Sequence, residues 1–442
     1  MKNDGFIGTK MNITKKEVKS YLQRLYPFCR SISGSGLRET LAIIKEYIPI
    51  YLKELKTGTK VFDWIIPEEW HIQGAHIKDP KGKKIIDFKK SNLHIVNYSI
   101  PINKKIHLKE LKKHLYTLPQ IPDAIPYITS YYNRDWGFSM TYSQYKNLND
   151  GIYEVFIDSE IKKGKLSYGE YFIKGKSAKE ILLSTYTCHP SLANDNLSGI
   201  VLSTYLARFV SEQKNYYSYR FLFIPETIGS LAWLSQNKKN IHNIKYGLIV
   251  TCVGDSGNST YKKTRDGNSI LDQAAEKMLI DSKEPYKIIT FDPADGSDER
   301  QFSSPGFNLP VGSLMRTPYG QYREYHTSED NLSFIKPKYL LNSLDKYLKI
   351  LYILENNRYY LNCNPHGEPM LGKRGLYRSF GSNLHLRGLN KAFMWILNYS
   401  DGDHSLLDIA TMSNIDFQVI KEAADILHRA VLIKHANKNE PA

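Results

Sequence analysis

The stretch YTCHPSLANDNLSGIV, Tyr186–Val201, sets a histidine, an asparagine-flanked aspartate and a Ser-Gly pair between an apolar run and a helix-forming segment. The run that leads into it, EILLSTYTC, is short and apolar enough for a buried parallel strand. The segment that leaves it, SGIVLSTYLARFVSEQ, carries apolar residues at helical spacing. A buried strand that stops on His189 and Asp195 points to a site, because ligands gather outside the carboxyl ends of parallel strands.

Downstream the alternation continues. YRFLFIPET reads as a strand, GSLAWLSQN as the start of a helix and YGLIVTCVGD as another buried strand. Upstream, YEVFID and GEYFIKG read as strands from Gly151 onward, while residues from about Thr14 to Leu55 read as two amphipathic helices. The pattern predicts a three-layer α/β domain built from residues 11–60 and 151–364. Between them, residues 61–150 switch to short aromatic and β-branched runs broken by turn signals, as in DPKGKKIIDF and NLHIVNYSI, and form an inserted β-rich module. Residues 365–442 read helix, loop, short helix, a turn at Ser413–Ile415, a longer helix from Asp416 and an apolar strand, which is a winged-helix pattern.

Two further strand ends carry ionisable residues: Glu226 in FIPETIGS and Asp255 in CVGDSG. His326 lies in the polar loop GQYREYHTSEDN. Two histidines and an aspartate suit a zinc ion with one open position, where water acquires a pKa near about 7 and can attack a carbonyl. A carboxylate that is not itself a ligand, Glu226, then moves the proton to a leaving amine. Each residue also has a plainer reading. Asp195 can cap the following helix, Glu226 can pair with a lysine, and His189 can be a packing residue.

In order along an α/β frame, these segments resemble the zinc aminopeptidases of the M28 type. HPSLANDNLSG is similar to that family's H…DDNASG stretch, and PETIGS, GSDERQF and YHTSEDN follow its later motifs. The resemblance is closer to a subgroup of DUF4910 proteins, with an aminopeptidase-like domain, an inserted β-rich module and a C-terminal winged helix. It runs from about Thr14 to His435. It implies a phosphorylase/hydrolase-like fold, with His189, Asp195 and His326 as metal ligands and Glu226 as general base. Members often occur among genes for cell-surface polysaccharides or natural products, which implies a biosynthetic role. The family's second glutamate is Thr227 here, and the aspartate expected after the third strand falls near Thr251, with Asp255 four residues on. The loss of both carboxylates predicts one zinc rather than two.

Asp298 and Glu299 are candidates to hold a substrate amine, Arg316 a substrate carboxylate, and Asp255 and Tyr325 to line the pocket; Arg316 is read equally well as an ion-pair partner. Tyr131, Tyr132 and Trp136 are candidates for the pocket wall from the module, against a plainer role in its core. The working expectation is a hydrolase acting on a small-molecule or peptide substrate. A retired zinc-binding scaffold and a nucleic-acid-binding regulator are its rivals.

The chain has 442 residues, 41% hydrophobic and 24% charged, which fits a folded protein of two or three domains. Its net charge of +15 is spread over scattered lysines, and residues 366–442 carry nine Lys/Arg against eight Asp/Glu. That near-neutral tail argues against nucleic acid and for docking or homo-oligomer formation through the winged helix. Four well-separated cysteines without a CxxC pair read as reduced thiols of a cytoplasmic protein, and the first residues lack a signal-peptide core. No run is long and apolar enough for a membrane span.

Overall fold

The computed structural model describes residues 13–376 and 384–436; the first residues, read for a signal peptide, lie outside them. The chain divides into two compact units, the described residues of 11–265 with 289–344, and those of 266–288 with 345–442.

The first unit is built on a large mixed sheet. From one edge its strands run Tyr51–Lys56, Lys165–Ile173, Ser218–Ile224, Glu180–Tyr186, Ile244–Ile249, Val311–Met315 and Ser259–Lys262. The four strands from Ser218–Ile224 to Val311–Met315 are mutually parallel, and the flanking pairs are antiparallel. Every residue of Glu180–Tyr186 is buried, as a strand covered on both faces requires. Helix Gly199–Ser211 packs on it through Ile200, Val201, Leu202 and Leu206, all essentially inaccessible. The fold is the α/β architecture expected.

One segment differs. Residues 51–56, expected to continue the second helix, form an edge strand paired with Lys165–Glu170. The helix Ser35–Tyr47 ends where Ile48 turns extended, one residue before Pro49, whose ring disfavours a helical conformation in the residue before it.

Residues of the module form a four-stranded sheet with strand Ile152–Lys162, which lies beyond the module's expected end at 150, in the order Lys84–Asp87, Glu69–Lys78, Ile152–Lys162, Ile102–His107. In the second unit, strands Tyr359–Asn362, Asp401–Ser405 and Ile433–His435 make a small sheet beside helices Leu384–Tyr399, Leu406–Ser413 and Phe417–Arg429. Ser405 and Asp416 cap the last two helices with their side chains. All four cysteines are free thiols, and among the described residues no helix is long and apolar enough to cross a membrane.

Candidate metal centre

Three parallel strands end side by side at Ile224, Tyr186 and Ile249, and the loops that leave them build the site. The Ser-Gly pair has a steric reason. A Cβ on Gly199 would stand 2.4 Å from the Val250 carbonyl oxygen, so only glycine lets the helix start this close to the neighbouring strand end. Ser198 Oγ donates to the Asn194 carbonyl and accepts from the Val253 amide, tying the two loops together.

His189, Asp195 and His326 converge. Asp195 Oδ2 is 3.4 Å from His189 Nδ1 and 3.0 Å from His326 Nε2, and the two imidazole rings are 5.2 Å apart at 73°. Asp195 is fully buried and His189 nearly so. None of these three atoms makes a well-aligned hydrogen bond among the described residues, although both imidazoles stand at ion-pair distance from Asp195 Oδ2. Buried polar atoms are nearly always satisfied, so three orphans facing one point ask for a shared partner. A cation answers. Donors about 2.0–2.1 Å from a tetrahedral zinc stand about 3.3 Å from each other, close to the separations seen. The N, N, O donor set fits zinc with an open position.

Burial alone would raise the Asp195 carboxyl, yet the two imidazoles hold it far below the usual carboxylate range. Burial would likewise lower the His189 imidazole, and the Asp195 and Glu226 carboxylates outweigh it, raising it instead.

Glu226 leaves the adjacent strand with 28% of its side chain exposed. Its Oε2 is 3.6 Å from His189 Nε2, the nitrogen that faces away from Asp195, and its Oε1 accepts a 2.5 Å bond from Ser297 Oγ. Burial pushes its carboxyl up, and Asp195 adds to the shift against the opposing imidazoles. Asp298 accepts from the Thr227 amide at 2.7 Å, and burial with the neighbouring Glu226 raises its carboxyl to about 8.

Of the other expected residues, Asp255, Glu299 and Arg316 are engaged elsewhere in the frame. Asp255 accepts four hydrogen bonds, from Asn194 Nδ2, the Gly257 amide and both donors of Thr317. Glu299 accepts from Lys262 Nζ at 2.9 Å and from the Tyr319 hydroxyl at 2.9 Å. Arg316 donates to Asn342 Oδ1 at 2.8 Å and lies 4.8 Å over the Tyr339 ring. Tyr325 stacks on His326 at 3.9 Å, which places it on the site. Of the three module aromatics expected at the wall, Trp136 is buried against His114, Tyr132 is turned outward against Trp64, and Tyr131 alone reaches the site side, through the Tyr127 hydroxyl at 3.1 Å.

Several residues went unnoticed in the sequence. Tyr127 sets its ring edge-to-face against both imidazoles, at 5.3 and 5.2 Å. Arg30, buried, donates to the carbonyls of Leu25, His189 and Pro190 and fixes the His189 loop. Asp330 accepts from the amides of Asn194 and Asp195 through its two oxygens. Tyr186 donates its hydroxyl to Asp195 Oδ1 and lies 2.6 Å from Thr251 Oγ1. A tyrosine in a fully buried strand needs a polar partner, and that requirement was the available signal for Tyr186.

Comparison with known proteins agrees with this frame. A family model described as "Domain of unknown function (DUF4910)" matches residues 19–357, and a winged helix-turn-helix model matches residues 358–435. A Clostridium acetobutylicum protein described as "Putative polysaccharide biosynthesis protein with aminopeptidase-like domain" is 52% identical over 421 residues, 95% of this chain and 96% of the relative. A crystal structure of a "putative peptidase" from the same species superposes with a TM-score of 0.91 at 50% identity, covering 96% of each chain. A zinc aminopeptidase from Bacillus subtilis, BSAP, shares the fold with a TM-score of 0.57 at 12% identity, over 78% of this chain and 96% of that one.

Proposed function

The chain belongs to the DUF4910 family, and from that premise we propose that it is a zinc-dependent amidohydrolase, cleaving an amide bond in a small aminoacylated or peptidyl substrate. The observation that carries this reading is the meeting of His189 Nδ1, Asp195 Oδ2 and His326 Nε2, three buried donors without well-aligned hydrogen bonds among the described residues. They would hold one zinc ion. When bound, zinc supplies a Lewis acid that acidifies water and polarises a carbonyl oxygen.

The chain's own groups do the rest. Glu226 takes the proton of the attacking water and returns it to the leaving amine. Its raised carboxyl suits that task, since a base is most effective when its pKa approaches the working pH. Ser297 orients it by donating to Oε1, which leaves Oε2 for the water. Tyr127 and Tyr325 wall the imidazoles with aromatic surface that sheds solvent.

In this reading the chemistry belongs to residues 11–60 and 151–364, residues 61–150 lend Tyr127 and Tyr131 to the wall, and residues 365–442 serve docking. The description of the Clostridium relative supports a substrate drawn from polysaccharide assembly. Glu226→Gln separates binding from chemistry. Its zinc content should equal that of the unmodified chain, while hydrolysis of an aminoacyl-anilide panel falls by at least about 100-fold. Undiminished turnover in that variant would overturn the assignment.

A further inference from the structure

Asp195 has two oxygens, and they meet different worlds. Oδ2 faces the two imidazoles without a well-aligned hydrogen bond. Oδ1 accepts from the Tyr186 hydroxyl. A phenol has one proton, and a carboxylate can only accept. The 2.6 Å contact between the Tyr186 and Thr251 hydroxyls is therefore donated by Thr251, for whose proton Cys252 Sγ, at 3.4 Å, is the more distant acceptor. The result is a buried chain of hydroxyls, Thr251 to Tyr186 to Asp195, ending on the oxygen that points away from the histidines. All three side chains are inaccessible to water.

From this geometry we infer that Tyr186 is a positioning residue. Its hydroxyl seals Oδ1, turns the aspartate so that Oδ2 alone is presented to the histidines, and commits Asp195 to a single cation. Thr251 is the support that keeps the phenol in place. This rests on the zinc-binding reading above and adds to it a reason, within this chain, for a one-ion centre. Neutral hydroxyls occupy the side of Asp195 on which a second cation would need an anionic ligand. A side chain that orients a ligand from behind typically contributes about 10- to 100-fold in metal affinity.

The test is zinc affinity and stoichiometry, measured on the full chain by competition with a chromogenic chelator, with circular dichroism certifying the fold of each metal-free variant. Tyr186→Phe removes only the hydroxyl. It should bind zinc about 10- to 100-fold more weakly than the unmodified chain. A folded Tyr186→Phe protein with an unchanged isotherm would overturn the inference, and so would an unmodified chain that takes up two ions per molecule. Should Tyr186→Phe lose its fold, Thr251→Val and Thr251→Ser decide the matter. Valine, lacking the donor, should weaken binding by at least about 3-fold, whereas serine, which retains it, should leave binding unchanged; equal affinities would sink the role. An unmodified chain with no zinc affinity at all would instead refute the hydrolase reading, a distinguishable failure.

Discussion

Asp195 and Asp255 are both buried aspartates, each in the loop that follows a central parallel strand, and their surroundings could hardly differ more. The four hydrogen bonds on Asp255 fill both of its oxygens. Asp195 receives one, at Oδ1, and offers Oδ2 to two imidazoles that make no well-aligned hydrogen bond to it. An ionised carboxylate taken from water must regain its solvation from protein donors or from a cation. Asp255 regains it from the protein and holds the loop. Asp195 is left incomplete on the side that faces the histidines. Burial is common to both, so under the proposed function hydrogen-bond saturation is the property that separates a structural aspartate from one that would hold a cation.

That distinction predicts opposite outcomes for one chemical change. Asp195→Asn replaces an anionic oxygen at the point of convergence, and zinc affinity should fall by more than about 100-fold in a chelator competition. Asp255→Asn turns an acceptor into a donor that faces the Asn194 amide or the Thr317 donors. It should cost about 2–4 kcal/mol in denaturant unfolding of the metal-free chain, the range expected when buried hydrogen bonds are broken and donors stranded. Zinc bound per folded molecule should stay the same. If both variants lost zinc equally, the comparison between the two aspartates would fail.

The sequence carried half of this distinction. His189, Asp195, Glu226 and His326 were legible as candidates because each interrupts an apolar run or stands in a polar loop, where an ionisable residue calls for an explanation. The α/β frame was legible for a related reason, since fully buried strands leave uninterrupted apolar runs. Partners were not legible. Asp255 and Asp195 look alike in sequence, and the residues that complete Asp255 lie at positions 194, 257 and 317. Arg30 reaches His189 across 159 residues, and Ser297 reaches Glu226 across 71. The edge strand Tyr51–Lys56 was misread because Leu52 and Leu55 are three apart, a helical spacing, while sheet pairing with Lys165–Glu170 decides its conformation.

Asp298 sharpens the comparison as an intermediate case. Its Oδ1 accepts from the Thr227 amide, its Oδ2 makes no well-aligned hydrogen bond among the described residues although the nearby Ser230 hydroxyl pulls the carboxyl down, and Glu226 lies nearby as a second carboxylate. With neither a full set of donors nor a cation, the remaining remedy is a proton, and burial accordingly lifts this carboxyl to about 8. The sign of the effect on stability follows. In the unfolded chain the group titrates near its ordinary value of 3.8. The stability gained from the extra proton is complete below that value and is lost as pH rises through about 8. Asp298→Asn keeps an oxygen for the Thr227 amide and cannot ionise. Its melting temperature relative to the unmodified chain should therefore rise between pH 5 and pH 9, by about 2–4 °C for a chain of this size. A difference that stayed flat across that range would mean that Asp298 is ionised throughout, completed like Asp255 by donors, and the three-way contrast among cation, hydrogen bonds and proton would reduce to two.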